Sequence, residues 1–388
     1  MTPPFLVEAP PEGVVELHVH LGGAVPIHRL FEAAVDRGIR LPVATYNEFA
    51  NLLHRRQDNS GSLEQYLEVY EVAERIQSGP QALRESVLIA LNGAARTQGA
   101  ERVDGEGVAV TPVRYQLPIR ALELRFNPMK RNGGGIWDLD RVMMAACSAV
   151  TEVRTAYKGQ LRAGLIVCLG RDLPYEQNRI LAEKVALWSS EGLPVVGLDL
   201  AGPESANPLK DPARMREMAE CYRLAGPLVG RTVHCGETRS TDLATFLATV
   251  ENLQADRIGH PLVAARSYWE NGDDRGLKLM AERGIAAELC VVSNLLTGAV
   301  ASVEEYGKLL DLFDQFGVEY TFSTDAPALQ KTTLASELSL LLESKSATPD
   351  QIERSFRTAA RVTFLPEEEA NPMRRRTDQW AGSVKLSR

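Results

Sequence analysis

Cysteine is scarce in this chain and never paired. Cys147, Cys168, Cys221, Cys235 and Cys290 are the five in 388 residues, with no C-x-x-C spacing among them. This argues against a disulfide framework and against a cysteine zinc site, and predicts reduced thiols. No apolar run is long enough to span a bilayer, so no membrane role is expected. The opening MTPPFLVEAPPEGVVELHVH has no basic n-region and no apolar stretch followed by a small-residue cleavage site; no secretion signal is read, and a cytoplasmic location is expected. Positive charge is also in deficit. With 43 Lys and Arg against 51 Asp and Glu, the formal net charge is −8, and the one short basic cluster is 374–376. A surface of that sign repels a phosphate backbone, so a nucleic-acid polymer is not expected as a partner, although a small nucleoside is compatible.

What is present is ordinary soluble composition, 44% hydrophobic and 24% charged, arranged in a regular alternation. Eight apolar, β-branched-rich runs stand between stretches of helical periodicity: 14–21, 119–126, 163–169, 194–201, 230–237, 256–262, 285–292 and 318–325. Strands alternating with helices predict a parallel α/β sheet, and eight of them close a barrel. The chain is therefore expected to be a single (β/α)8 TIM-type barrel domain spanning 1–388. Residues 26–98 are expected as a helical insertion after strand one, with further helices over 331–364 and a polar, mobile tail at 365–388. Residues 99–117 read equally as a loop or a small hairpin.

Histidine is rare, six in all, and four of the six lie at or near predicted strand ends. A barrel enzyme assembles its site at the carboxyl ends of its strands, where residues remote in sequence converge. His18 and His20 are spaced by two, so both imidazoles leave the same face of strand one. His234, Glu237, His260 and Asp325 stand at the ends of other predicted strands, and three imidazoles with a carboxylate from such a group suit a cation such as zinc. Read alone, a histidine near a strand end is more often a hydrogen-bonded structural residue. His28 and His54, in the helical insertion, are expected to face solvent.

The motifs ELHVHLGGA (16–24), LELRFNP (122–128), GLDLAGPE (197–204), TVHCGE (232–237), RIGHP (257–261), ELCVVSN (288–294) and FSTDAP (322–327) together resemble the ordered motif series of the adenosine deaminase family. The resemblance runs from about residue 14 to about residue 340. It implies one zinc ion per chain on His18, His20, His234 and Asp325, with Glu237 as proton shuttle and His260, with Asp325, orienting the metal-bound water. The reaction it implies is hydrolytic deamination of an amino-substituted purine nucleoside or related aminoheterocycle, with release of ammonia. Zinc lowers the pKa of water to about 7, and a carboxylic acid three residues beyond a ligand can protonate the ring nitrogen beside the attacked carbon. Gly202 matches a position that offers a backbone N–H to the substrate ring, though a turn glycine explains it equally well. Ser293 and Asn294 line the site or cap a helix, capping being the commoner use. Glu123 and Arg125 match a second-strand E-x-R for which a structural ion pair is expected.

Two departures strike the substrate. Where adenosine deaminases carry an aspartate for a ribose hydroxyl this chain has Gly22, and where they carry a second strand-eight aspartate for a purine nitrogen it has Ala326. Cys235 and Pro261 replace alanine and glycine in the pocket wall. Adenosine is therefore not expected to be the best substrate, and Ala326→Asp, with or without Gly22→Asp, is expected to improve it. The rivals are an amidohydrolase cleaving a cyclic or linear amide and a catalytically silent nucleoside-binding homologue. The absence of lysine from LAGPE argues against a carbamylated two-metal site, and no H-x-E with P-C-x-x-C signature of the cytidine deaminase type is present. Oligomeric state is not legible.

Overall fold

The computed structural model describes residues 14–56, 62–96, 102–103, 109–110, 117 and 119–379. Eight parallel strands form one sheet, labelled here β1 (Val14–His20), β2 (Ile119–Phe126), β3 (Arg162–Gly170), β4 (Val195–Ala201), β5 (Gly230–His234), β6 (Arg257–Gly259), β7 (Ala286–Leu289) and β8 (Tyr320–Phe322). Each strand pairs with the next in sequence. A parallel bridge between Val19 and Asp325, with His20 N–H on the Asp325 carbonyl at 2.7 Å and Asp325 N–H on the His18 carbonyl at 2.9 Å, brings the end of β8 back against β1. This is the (β/α)8 barrel that the alternation predicts. The strands are buried on both sides, as parallel strands under a helical coat must be.

The last four strands are shorter than the apolar runs that predict them. The runs continue into residues that leave the sheet: Gly236 (φ 95°), His260 (φ 54°) and Asp325 (φ 60°) take left-handed backbone conformations, and Val291–Leu296 is a short helix. Such conformations are costly for His and Asp, and they cluster where side chains must be re-aimed.

Between β1 and β2 the chain forms helices over Ile27–Asp36, Tyr46–Leu53, Leu63–Ile76 and Pro80–Arg96. In Leu63–Ile76, Ser62 accepts from Gln65 N–H as N-cap, and the stripe Leu63, Tyr66, Val69, Ala73 and Ile76 recurs at helical spacing and is buried. The edge of that stripe, with Tyr66, Tyr70 and Glu74, lies against the barrel mouth. Arg102–Val103 and Ala109–Val110 pair antiparallel; the rest of 99–117, apart from 117 itself, lies outside the described residues.

The other end of the barrel is closed by the C-terminal segment. Phe364 lies so near Gly230 that a Cβ there would fall 2.0 Å from its ring, and the Arg257 guanidinium stacks on that ring at 3.6 Å. Within 365–388, where a mobile tail is expected, Glu367–Gln379 is a helix with Ala370 and Met373 buried, and 380–388 lies outside the described residues. All five cysteines are free and buried. Among the described residues no helix is long and apolar enough to cross a membrane.

Candidate active site

At the carboxyl ends of the strands lies a cavity of about 270 Å³ lined by His20, Gly22, Gly202, His234, Glu237, His260 and Asp325. His18 is fully buried beneath it. One ring nitrogen from each of His18, His20 and His234 falls within 4.8 Å of the others. His20 Nε2 is 3.1 Å from His234 Nε2, and Asp325 Oδ1 is 3.6 Å from His20 Nε2 and 3.9 Å from His18 Nε2.

Carboxylates behind two of these rings fix which nitrogen faces the cluster. His18 Nδ1 bonds Glu288 Oε2 at 2.7 Å, and His234 Nδ1 bonds Asp199 Oδ1 at 3.1 Å. With Nδ1 donating, each Nε2 presents a lone pair, and His18 Nε2 is buried without any partner. Burial lowers the His18 and His20 pKa values, that of His20 to about 3. For His234 burial also opposes protonation, but Asp199 outweighs it. An orphaned imidazole nitrogen among two more imidazoles and a carboxylate is a donor set that fits a divalent ion such as zinc.

The carboxylates are themselves tied into a buried ion-pair network. Arg125 reaches Asp199 at 3.1 Å and Glu288 at 2.9 Å, and Arg257 reaches Glu288 at 2.8 Å and Glu123 at 2.6 Å. Glu123 and Arg125 are thus ion-paired as expected of the E-x-R, but with other strands and not with each other. Burial alone would raise the Glu288 pKa; Arg125 and Arg257 outweigh it and hold the carboxylate charged.

On the other side of the cluster, Glu237 Oε1 accepts from Thr297 Oγ1 at 3.0 Å. Burial raises its pKa above the ordinary carboxylate value, with His260 and Thr297 opposing. Asn294 Nδ2 is 3.0 Å from His260 Nδ1, while Asn294 Oδ1 accepts the Tyr306 hydroxyl at 2.5 Å. That orients the amide to donate to Nδ1 and leaves Nε2 of His260 carrying the proton. Ser293 Oγ donates to Asp325 Oδ2 at 2.6 Å. Neither Ser293 nor Asn294 caps a helix: both lie inside Val291–Leu296, whose N-cap is Cys290.

Several supporting residues escape a reading of the sequence. Glu204 accepts from Gly236 N–H at 2.5 Å and Thr238 N–H at 2.7 Å, and Arg266 donates to the carbonyls of Gly236, Glu237 and Thr238. Together they fix the loop bearing Glu237. Both Asp199 and Glu204 stand in GLDLAGPE and Glu288 in ELCVVSN, so their motifs were visible but their partners were not.

The two substituted positions behave differently. A Cβ on Gly22 would stand 2.8 Å from Tyr70 Cδ1, so a tyrosine ring takes the room of any side chain there. Ala326 is fully buried and packs on Gly23, where a Cβ would lie 2.3 Å from the Ala326 Cβ; it is absent from the cavity lining. Gly202 lines the cavity with φ 101°, which meets the turn requirement and leaves its N–H role open. His28 is exposed, as expected, but His54 is half-buried.

The adenosine deaminase family model matches residues 13–380. An adenosine deaminase of Danio rerio is 28% identical over 356 residues, covering 92% of this chain and 91% of that protein. One of Bos taurus is 27% identical over 357 residues, covering 92% and 90%. Among solved structures, an adenine deaminase from Arthrobacter aurescens superposes with a TM-score of 0.75 at 17% identity, covering 96% of this chain and 99% of that one. A zinc-bound amidohydrolase from Burkholderia ambifaria gives 0.73 at 18% identity, covering 94% and 89%; these structures share the fold. The chain belongs to the adenosine deaminase family, whose members are metal-dependent, and is a hydrolytic deaminase acting on C–N bonds.

Proposed function

We propose that the protein deaminates an amino-substituted purine nucleoside or a closely related aminoheterocycle, with one zinc ion held by His18, His20, His234 and Asp325. The observation that carries this reading is the meeting of those four residues with Glu237 and His260 at one cavity. Zinc is the choice among divalent ions because the donors are three imidazoles and one carboxylate, and because a structural relative contains it. When bound, the ion supplies Lewis acidity that makes water a nucleophile near neutral pH.

The chain's own residues do the rest. Glu237, whose acid form burial favours, gives its proton to the ring nitrogen beside the carbon under attack, and Thr297 and the Glu204-held loop keep it aimed. As the water attacks, Glu237 takes up one of its protons and passes it to the departing amine, which leaves as ammonia; the second water proton, released as the new C–O bond becomes a carbonyl, returns Glu237 to its acid form. His260, its Nδ1 fixed by Asn294, donates from Nε2 to the oxygen of the incoming nucleophile. Asp325, bonded by Ser293, holds that oxygen from the other side. Gly22 and Ala326 supply no carboxylate for a sugar hydroxyl or a purine nitrogen, which supports a preferred substrate other than adenosine.

The test is ammonia release by zinc-loaded protein across aminopurines, their nucleosides and nucleotides, and pterins. Turnover of one amino-substituted purine above adenosine is expected. Release from none of them, by protein holding one zinc per chain, would overturn the proposal.

A further inference from the structure

The cavity holds one charged group that the reaction does not use. Arg131 ends the turn Met129–Arg131 after β2, lines the cavity and is only 1% exposed. A guanidinium offers five N–H donors, yet the one acceptor paired with this side chain is Glu74, whose Oε1 stands 3.2 Å from Nη1. Its Nε is buried without an acceptor. Arg125 and Arg257, equally buried, each donate to a carboxylate and a backbone carbonyl. A buried guanidinium with more donors than acceptors is costly, and an acceptor brought by a ligand relieves that cost.

Its place defines which part of a ligand it meets. Arg131 Nη2 lies 3.5 Å from where a Cβ on Gly22 would stand, beside the Tyr70 ring. Arg131, in the turn after β2, and His260, after β6, both line the cavity, and β2 and β6 are four apart in a sheet of eight. A ligand whose reacting ring lies against Glu237 and His260 extends its other end toward Arg131.

We propose that Arg131 anchors an oxyanion, carboxylate or phosphate, at the end of the substrate remote from the amine. The inference rests on the deaminase reading and narrows it to an amino-substituted nucleoside-like molecule bearing that anion. Glu64, Glu68 and Glu71 stand at the rim of the same cavity, and Lys130 is already paired with Asp172 at 2.7 Å. That rim repels a dianion more than a monoanion, so the carboxylate is the better fit of the two. Arginine's planar fork can grip either one with two parallel hydrogen bonds.

Binding tests this without turnover. Calorimetric titration of zinc-loaded wild type, Arg131→Gln and Arg131→Lys would use inosine, inosine 5′-carboxylate and inosine 5′-monophosphate, none of which has an amine to lose. Wild type is expected to bind an anionic ligand at least about tenfold tighter than inosine, the scale of a charge-assisted pair. Arg131→Gln should erase that ratio, and Arg131→Lys should keep part of it. Tighter binding of the carboxylate than of the monophosphate identifies the carboxylate source, and the reverse order the phosphate. Equal affinities in wild type, or a ratio unchanged in Arg131→Gln, overturn the proposal. If Arg131→Gln does not fold, Arg131→Lys decides, since a lysine that leaves the ratio intact overturns the need for the fork. A ratio that follows Arg131 in a protein releasing ammonia from no aminopurine keeps the anchor and refutes only the reaction.

Discussion

Ser293, Asn294, Thr297, Glu204, Asp199 and Glu288 each bond a residue or loop on the floor of the cavity, so that His18, His234, Glu237, His260 and Asp325 are all held from behind. On the wall, helix Leu63–Ile76 and the turn after β2 bring Tyr70, Glu74 and Arg131 to the same cavity, where Arg131 is paired with Glu74 and its Nε has no acceptor. The difference separates two tasks. Bond-making chemistry demands fixed geometry, which the floor supplies through strand ends and buried carboxylates. The wall leaves part of the Arg131 donor set over for whatever enters. Floor substitutions should therefore strike turnover or metal content, and wall substitutions the choice of ligand.

The largest effect belongs to Glu237. Glu237→Gln keeps the shape and the Thr297 contact but cannot carry a proton, so kcat should fall by roughly 10²–10⁴-fold while zinc content stays near one per chain. His18→Ala should lose the metal as well. Elemental analysis beside an ammonia assay separates them, and near wild-type turnover in Glu237→Gln would refute the assignment. Next comes Asp199, which stands behind His234. Asp199→Asn removes the charge that orients the ring and should weaken zinc affinity by about 10–100-fold, read by chelator competition. An unchanged affinity would mean that Asp199 serves Arg125 and not the metal site.

Those two substitutions also mark what the sequence discloses. His18, His20, His234, Glu237, His260 and Asp325 stand out because strand ends and period-two spacing are visible in one dimension. Asp199 and Glu288 are also in strands, but their importance lies in partners 35 and 270 residues away, across β4–β5 and β7–β1. Nothing local distinguishes them from any carboxylate in an apolar run. The true ends of β5 to β8 were hidden for a related reason. Apolar residues such as Val291 and Val292 serve a strand and a buried helix equally well, and the left-handed backbone of His260 and Asp325 has no side-chain signature. Tyr70 against Gly22 is the plainest case, a packing between β1's exit and a helix some fifty residues on.

That packing yields a smaller effect and revises the expectation that aspartates would restore adenosine binding. Gly22→Asp must displace the Tyr70 ring, and overpacking of this kind costs about 1–3 kcal/mol. Adenosine turnover should not improve, and the melting temperature should fall by about 2–6 °C. Gly22→Asp combined with Tyr70→Ala makes room, and a gain in adenosine kcat/KM in that pair, absent from either single variant, would show that the carboxylate helps only once the ring has moved aside.

The smallest effect lies outside the cavity, at Glu337. It is fully buried in helix Leu334–Glu343, and its Oε2 accepts the N–H groups of Val291 at 2.8 Å and Val292 at 3.2 Å. Those are the first two residues of the short helix that carries Ser293 and Asn294, and its N-cap Cys290 contributes no side-chain bond. Glu337 thus does from another helix what a capping side chain does locally. Burial pushes its pKa up from 4.5 to about 8, the two N–H groups opposing only in part, and Oε1 has no partner. The folded protein therefore holds a proton that the unfolded chain has released between those two values. Its contribution to stability is complete below the unfolded value and declines as pH rises from 4.5 toward 8. Glu337→Gln keeps an acceptor for Val291 and Val292 with no charge to bury, which removes this part of the slope. Melting curves from about pH 6 to about pH 9 should show wild type losing more stability than the variant, which should be the more stable by roughly 1–3 °C at the upper end. Parallel curves would mean that Glu337 enters the fold already ionised.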